Sequence, residues 1–196
     1  MKNALIIFVR QPQLGKVKTR LAAQIGKEEA LAVYIKLLEH TKQICKTVVA
    51  DKYLFGTENE MDVCWDGFLN AKQHGENLGS RMQNAFEELL KKGYQKLIII
   101  GSDCPSLTSN IVEKALEALD NNDTVIGPAA DGGYYLLGIK KLYTDLFKNK
   151  NWSTSSVYED TVKDFKDQAI KYHILPVLTD VDEAKDVPQD WLNKIL

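Results

Sequence analysis

The sequence is poor in the residues that build metal cages and disulfide frameworks, with 3 Cys and 3 His in 196 residues. Cys45, Cys64 and Cys104 are odd in number, widely spaced and form no CxxC, and His40, His74 and His173 fall at no ligand spacing. These absences argue against a disulfide scaffold and against a structural zinc site. Reduced thiols fit a cytoplasmic location. Long apolar runs are also missing. Ala4–Val9 is far too short to span a membrane and lacks the length and cleavage site of a signal peptide. Positive charge is in no surplus: the net charge is −2 and the isoelectric point about 6.0. That argues against nucleic acid as a partner. There is no internal repeat, low-complexity tract or linker, so one domain over residues 1–196 is expected. Neither the GxxxxGK[ST] phosphate loop nor the GxGxxG dinucleotide fingerprint occurs.

What is present is alternation. Ala4–Val9 and Lys96–Ile100 are apolar without polar interruption, as in strands buried on both faces. Lys27 to about Lys46, Gly79–Lys92 and the stretch from Thr108 or Ser109 to about Leu119 repeat apolar residues at helical spacing. Val48–Phe55, Thr124–Pro128, Tyr134–Ile139 and Ile170–Leu175 read as strands, and Met61–Trp65 as a short one. Gly67–Asn77 reads as a loop. Ser153–Lys166, capped by Ser153 or Thr154, and Pro188–Leu196 read as helices. The order predicts an α/β domain: three α/β/α layers around a mostly parallel mixed sheet.

Ligands of such sheets bind beyond the C-terminal ends of the strands, which gathers the polar motifs toward one edge. After the first strand, Arg10 to Leu21 holds Gly15, Lys16, Lys18 and Arg20, a composition suited to a polyphosphate. The alternative is a solvated basic loop. After Lys96–Ile100 come Gly101, Ser102, Asp103, Cys104 and Pro105. Asp103 is placed to bind a hard cation, Mg²⁺ or Mn²⁺; Thr108 and Ser109 already offer the helix cap that would otherwise explain it. Asp131-Gly132-Gly133 with Tyr134 reads as a tight turn compatible with substrate binding. Asp180 and Asp182 can project carboxylates to one side of an extended segment, or belong to an exposed acidic loop. The loop from Gln73 to Met82, with Arg81, leads into a helix whose start can meet an anion.

Together, Pro12-x-x-Gly15-x-x-Lys18-Thr-Arg20-Leu21, Gly79-x-Arg81-Met82, Gly101-Ser-Asp103-Cys-Pro105, Gly127-Pro-Ala-x-Asp131-Gly-Gly-Tyr134, Trp152-Ser-Thr154 and Asp180-x-Asp182 resemble a bacterial family of small assigned glycosyltransferases. This is the DUF2064 type, related to transferases with radical-SAM and selenoprotein-type neighbours. The likeness covers essentially the whole chain. It implies the nucleotide-diphospho-sugar transferase (GT-A) fold. The Lys18–Leu21 segment is also similar to phospholactate guanylyltransferases and, more distantly, to molybdenum-cofactor guanylyltransferases, whose Gly-Gly-x-Gly-x-Arg loop is missing here.

The resemblance implies nucleotide and phosphate contacts at Arg10, Gly15, Lys18, Arg20, Gly79, Arg81 and Ser102, and a divalent metal at Asp103. It implies substrate contacts at Gly132, Gly133, Tyr134 and Trp152. The fold's Asp-x-Asp metal signature is replaced by Ser102-Asp103-Cys104, so a second ligand falls to Asp131, Asp180 or Asp182. Relatives commonly carry Asp where Asn77 stands. The leading expectation is a metal-dependent glycosyl transfer from a nucleotide sugar to a small-molecule acceptor, with Asp131 as candidate base. The alternatives are nucleotidyl transfer from an NTP to a phosphorylated substrate, and a non-catalytic nucleotide-binding domain.

Overall fold

A computed structural model describes residues 2–57 and 63–195. The strands are β1 (Asn3–Val9), β2 (Asp51–Gly56), β3 (Leu69–Lys72), β4 (Lys96–Ile100), β5 (Thr124–Pro128), β6 (Tyr134–Ile139) and β7 (Tyr172–Ile174). The helices are α1 (Thr19–Ile25), α2 (Lys27–Thr47), α3 (Leu78–Lys91), α4 (Ser109–Asn121), α5 (Val157–Asp167) and α6 (Gln189–Ile195). The strands form one sheet in the order β3-β2-β1-β4-β6-β5-β7. All pairings are parallel except those of β6, which runs antiparallel to β4 and β5.

The unbroken apolar runs of β1 and β4 follow from burial on both faces. Leu5, Ile7 and Val9 of β1, with Ile98 and Ile100 of β4, meet α1, α2, α4 and α6. Ala4 and Ile6, with Leu97 and Ile99, point the other way and meet α3 and α5. The period-2 alternation of a strand thus feeds two cores. Leu5, Ile6, Ile7, Leu97 and Ile98 are all fully buried.

Three expectations about elements are corrected, and a fourth falls partly outside the described residues. The third strand is Leu69–Lys72, inside the segment read as a loop. It is an edge strand with exposed or half-exposed residues, so it has no apolar signature. Met61–Trp65 lies partly outside the described residues; Val63 and Trp65 pack into the core. Thr19–Ile25 forms a separate short helix. The helix expected from Ser153 begins at Val157, because Ser153 has φ 66°, which no right-handed helix accepts, and Thr154 Oγ1 donates back to Asn151 O. By contrast Thr108 does cap α4, and Gly93, at φ 87°, follows α3 as its stop. No helix among the described residues is long and apolar enough to cross a membrane.

Candidate active site

β1 and β4 are neighbouring parallel strands, so the segments after Val9 and Ile100 emerge side by side at one edge. They open on a cleft of about 810 Å³. Of the expected site residues, Arg10, Lys18, Arg20, Arg81, Ser102, Asp103, Asp131, Gly133, Tyr134, Trp152, Asp180 and Asp182 line it.

Lys18 is the hub of the acidic wall. Its Nζ lies 3.0 Å from Asp103 Oδ1 and 4.0 Å from Asp182 Oδ1, and donates to Val181 O at 2.6 Å. The side chain is only 7% exposed. Its backbone is left-handed, with φ 47°, a conformation unfavourable for a long side chain. Arg20 Nη2 reaches the other oxygen of Asp182 at 2.8 Å.

The C-terminal acids arrive here through backbone bonds. Val181 N–H donates to Asp103 O at 2.9 Å, Ala184 N–H donates to Gln24 Oε1 at 2.8 Å, and the Val181 side chain is fully buried. Asp180 and Asp182 therefore flank a residue anchored in the core. The Asp180 carboxyl is raised to about 7, first by burial and then by the neighbouring Asp103 and Asp131, with Lys18 opposing them. The four acids share one field although they are distant in sequence.

The rest of the cleft lining is built differently. Asp131 Oδ1 accepts from Gly133 N–H at 2.9 Å, closing the turn before β6. Gly132, at φ 89°, lies so close to the 152–156 segment that a Cβ would stand 2.1 Å from Ser155 O. A Cβ on Gly79 would stand 2.3 Å from the Trp152 indole. Arg81 Nε donates to Gly75 O at 3.0 Å, and Asn77 caps α3 through Ser80 N–H. The Asn77 side chain is thus occupied with the helix start.

Three expectations change here. Gly15 is not in the cleft lining: its φ of 73° serves the loop turn, and its open side faces the Lys27 side chain. Gly79 is buried beneath Trp152, so it seats the indole and does not itself line the cleft. Gly132 packs on Ser155 in the same way.

Sequence reading also missed participants. Tyr34 looked like core on the apolar face of α2. Its hydroxyl accepts from Arg10 N–H at 2.9 Å and lies 3.1 Å from Arg10 O, locking the end of β1. Gln73 is 8% exposed, and its Nε2 donates to Phe55 O and Val9 O, tying β2 to β1 at the cleft floor. A buried polar residue gives no signal in sequence until its partners are known. Cys104 also lines the cleft, and burial pushes its thiol up to about 11.

The donor set is all oxygen, which suits Mg²⁺ or Mn²⁺. Among the described residues no three His, Cys, Asp or Glu side chains are gathered into a ready metal cage. Mg²⁺ needs no such cage, because it commonly takes one or two carboxylates and completes its shell with water and substrate phosphates. Asp103 and Asp182, which converge on one Nζ, meet that requirement.

This sheet order and this strand-end cleft define a protein with the nucleotidyl- and nucleotide-sugar-transferase fold. The chain belongs to the family described as uncharacterized protein conserved in bacteria (DUF2064), whose model matches residues 38–154. A proposed nucleotide-diphospho-sugar transferase from Desulfovibrio desulfuricans G20 has a similar structure, with a TM-score of 0.88 and 32% identity over 93% of this chain and 84% of that one. In sequence the chain is 22% identical to a 2-phospho-L-lactate guanylyltransferase of Methanocaldococcus vulcanius, over 96% of this chain and 85% of the relative. A 4-diphosphocytidyl-2C-methyl-D-erythritol synthase from Anaerococcus prevotii shares the fold, with a TM-score of 0.62 and 13% identity over 95% of this chain and 92% of that one.

Proposed function

We propose that this protein is a nucleotidyltransferase, which moves a nucleoside monophosphate from an NTP to a phosphorylated small molecule and releases pyrophosphate. The observation that carries the reading is the meeting of Lys18, Arg20, Asp103, Asp180 and Asp182 at the ends of β1 and β4. Relatives aligned over nearly the whole chain, from Methanocaldococcus vulcanius and Methanocaldococcus jannaschii, are guanylyltransferases, which supports this reading over glycosyl transfer.

Charge balance supports a divalent ion. The cleft is lined by five acids, Glu76, Asp103, Asp131, Asp180 and Asp182, against four cations, Arg10, Lys18, Arg20 and Arg81. With Asp180 raised to about 7 the two signs nearly balance, so the cleft by itself does not neutralise a triphosphate, and a divalent ion arriving with it would. Asp103, with Asp182 or Asp180, would hold Mg²⁺ or Mn²⁺, which would neutralise charge on the departing phosphate oxygens. Attack by an acceptor phosphate oxygen on the α-phosphorus forms one P–O bond and breaks the bond to the β-phosphate oxygen. Lys18 and Arg20 would stabilise the charge that the leaving pyrophosphate gains. Elsewhere in the lining, Arg81 suits the acceptor's phosphate and Trp152 its non-polar face.

A second reading is glycosyl transfer from a nucleotide sugar, with Asp131 as base for an acceptor hydroxyl. The Desulfovibrio structure favours it. One assay separates the two. The protein is incubated with Mn²⁺, a phosphorylated-acid acceptor panel and either NTPs or nucleotide sugars, and pyrophosphate and nucleoside diphosphate are both measured. Acceptor-dependent pyrophosphate from an NTP supports nucleotidyl transfer. Nucleoside diphosphate from a nucleotide sugar selects the second reading.

A further inference from the structure

Lys18 is expected to serve the phosphates, yet its ammonium is turned to the carboxylates. It lies 3.0 Å from Asp103 Oδ1, 4.0 Å from Asp182 Oδ1 and 2.6 Å from Val181 O. Carboxylate oxygens and a backbone carbonyl converging on one point are the surroundings of a hard cation. The side chain reaches this point from a left-handed residue, φ 47°, at the start of α1, and it is 7% exposed. The chain accepts a disfavoured backbone conformation to bury a charge among acids. We infer that Lys18 occupies the cation position in the nucleotide-free protein, so that a divalent metal binds well there only when a polyphosphate draws the ammonium away. The inference rests on the reading of this cleft as a nucleotide and metal site.

The physical reason is competition. An ammonium and a divalent ion cannot share Asp103 and Asp182 at these distances, because their repulsion rises as the attraction to the acids is divided. A polyphosphate offers Lys18 a second set of anionic oxygens in the same cleft. The ammonium can move to them without leaving its positive charge unpaired. Metal and polyphosphate then favour each other's binding by the same factor. Arg20 does not perform this role. It holds the outer oxygen of Asp182 from a side chain that is 72% exposed.

The test is Mn²⁺ binding to the full chain, followed by the electron paramagnetic resonance of free Mn²⁺. Wild type, Lys18→Met and Lys18→Arg are titrated alone and with inorganic tripolyphosphate, against protein-free controls. Without polyphosphate, Lys18→Met is expected to bind Mn²⁺ at least about tenfold more tightly than wild type, and Lys18→Arg no more tightly. With tripolyphosphate, wild type gains affinity and Lys18→Met gains much less. Lys18→Gln, neutral and able to keep the bond to Val181 O, replaces Lys18→Met if circular dichroism shows that Lys18→Met does not fold. Equal Mn²⁺ affinity of wild type and the neutral variants without polyphosphate would overturn the inference while leaving the metal site standing. No Mn²⁺ binding by any form, with tripolyphosphate or with GTP, would remove the metal site itself and the inference with it.

Discussion

Each end of β4 has a lysine side chain that is 7% exposed and paired with a half-exposed acid. At the N-terminal end Lys96 donates to Leu116 O at 2.9 Å and pairs with Asp120 at 2.6 Å, both from α4. Past the C-terminal end Lys18 donates to Val181 O and pairs with Asp103. The local chemistry is nearly the same, but the surroundings are not. Lys96 has one carboxylate and an ordinary strand backbone, so charge is balanced within the pair. Lys18 faces Asp103 and Asp182, with Asp180 and Asp131 in the same field, and it stands on a left-handed residue beside an open cleft. The first arrangement closes the fold. The second gathers several acids beside an open cleft around Lys18 and Arg20, and that group is what an incoming cation would meet.

Substitutions at the two ends should therefore fail in different ways. Asp103→Asn should lower the rate of transfer by at least about 100-fold, near 2.7 kcal/mol in the barrier, as for loss of one preorganised charge-stabilising group. Pyrophosphate release per folded molecule measures it, and a loss below tenfold would remove Asp103 from the chemistry. At the other end, Asp120→Asn should cost about 2 kcal/mol of stability, below the usual cost of breaking a buried pair because Asp120 is half exposed. That corresponds to about 4–8 °C in Tm, with activity at 25 °C retained. If Asp120→Asn instead cut activity while leaving Tm alone, the contrast between the two ends would collapse.

Asp180→Asn sharpens the same comparison through pH. The folded carboxyl is raised to about 7, above its unfolded value, so its favourable contribution is present at low pH and is lost as pH rises through about 7. In chelator, the stability advantage of Asp180→Asn over wild type should grow from pH 5 to pH 8 by roughly 2–3 kcal/mol. Thermal melts at the two pH values read this directly; a constant difference would mean that Asp180 ionises normally. Arg20→Gln should have the smallest effect. Its guanidinium is largely exposed, so its loss should weaken triphosphate binding by only about two- to fivefold, in the range of an exposed ion pair, as isothermal titration would show.

The centre of the sheet was legible in sequence because burial on both faces writes itself into β1 and β4 as unbroken apolar runs. The cleft acids were legible by position: Asp103 directly follows a buried strand, and Asp180 and Asp182 stand in an acidic segment. Their meeting was not legible, because it depends on Val181 binding Asp103 O, a backbone contact across 78 positions of sequence. β3 escaped for the opposite reason to β1: an edge strand with polar faces has no pattern to read. Gly15 and Gly79 show a subtler limit. Each was expected at the phosphates, but Gly15 serves a turn beside Lys27, and Gly79 clears room for Trp152. A glycine in a motif reveals a close approach without naming what approaches. Gln73 and Tyr34 add that a polar group satisfied by distant backbone looks, in sequence, like any other polar or aromatic residue.

The most direct test is a crystal of the protein soaked with an NTP and Mn²⁺, with the metal located by its anomalous scattering. The account predicts Mn²⁺ between the phosphates and Asp103, a further oxygen from the Asp180–Asp182 segment, and Lys18 moved from Asp103 to a phosphate. A nucleotide bound elsewhere, or bound in this cleft with Asp103 out of contact with the metal and still paired to Lys18, would contradict it.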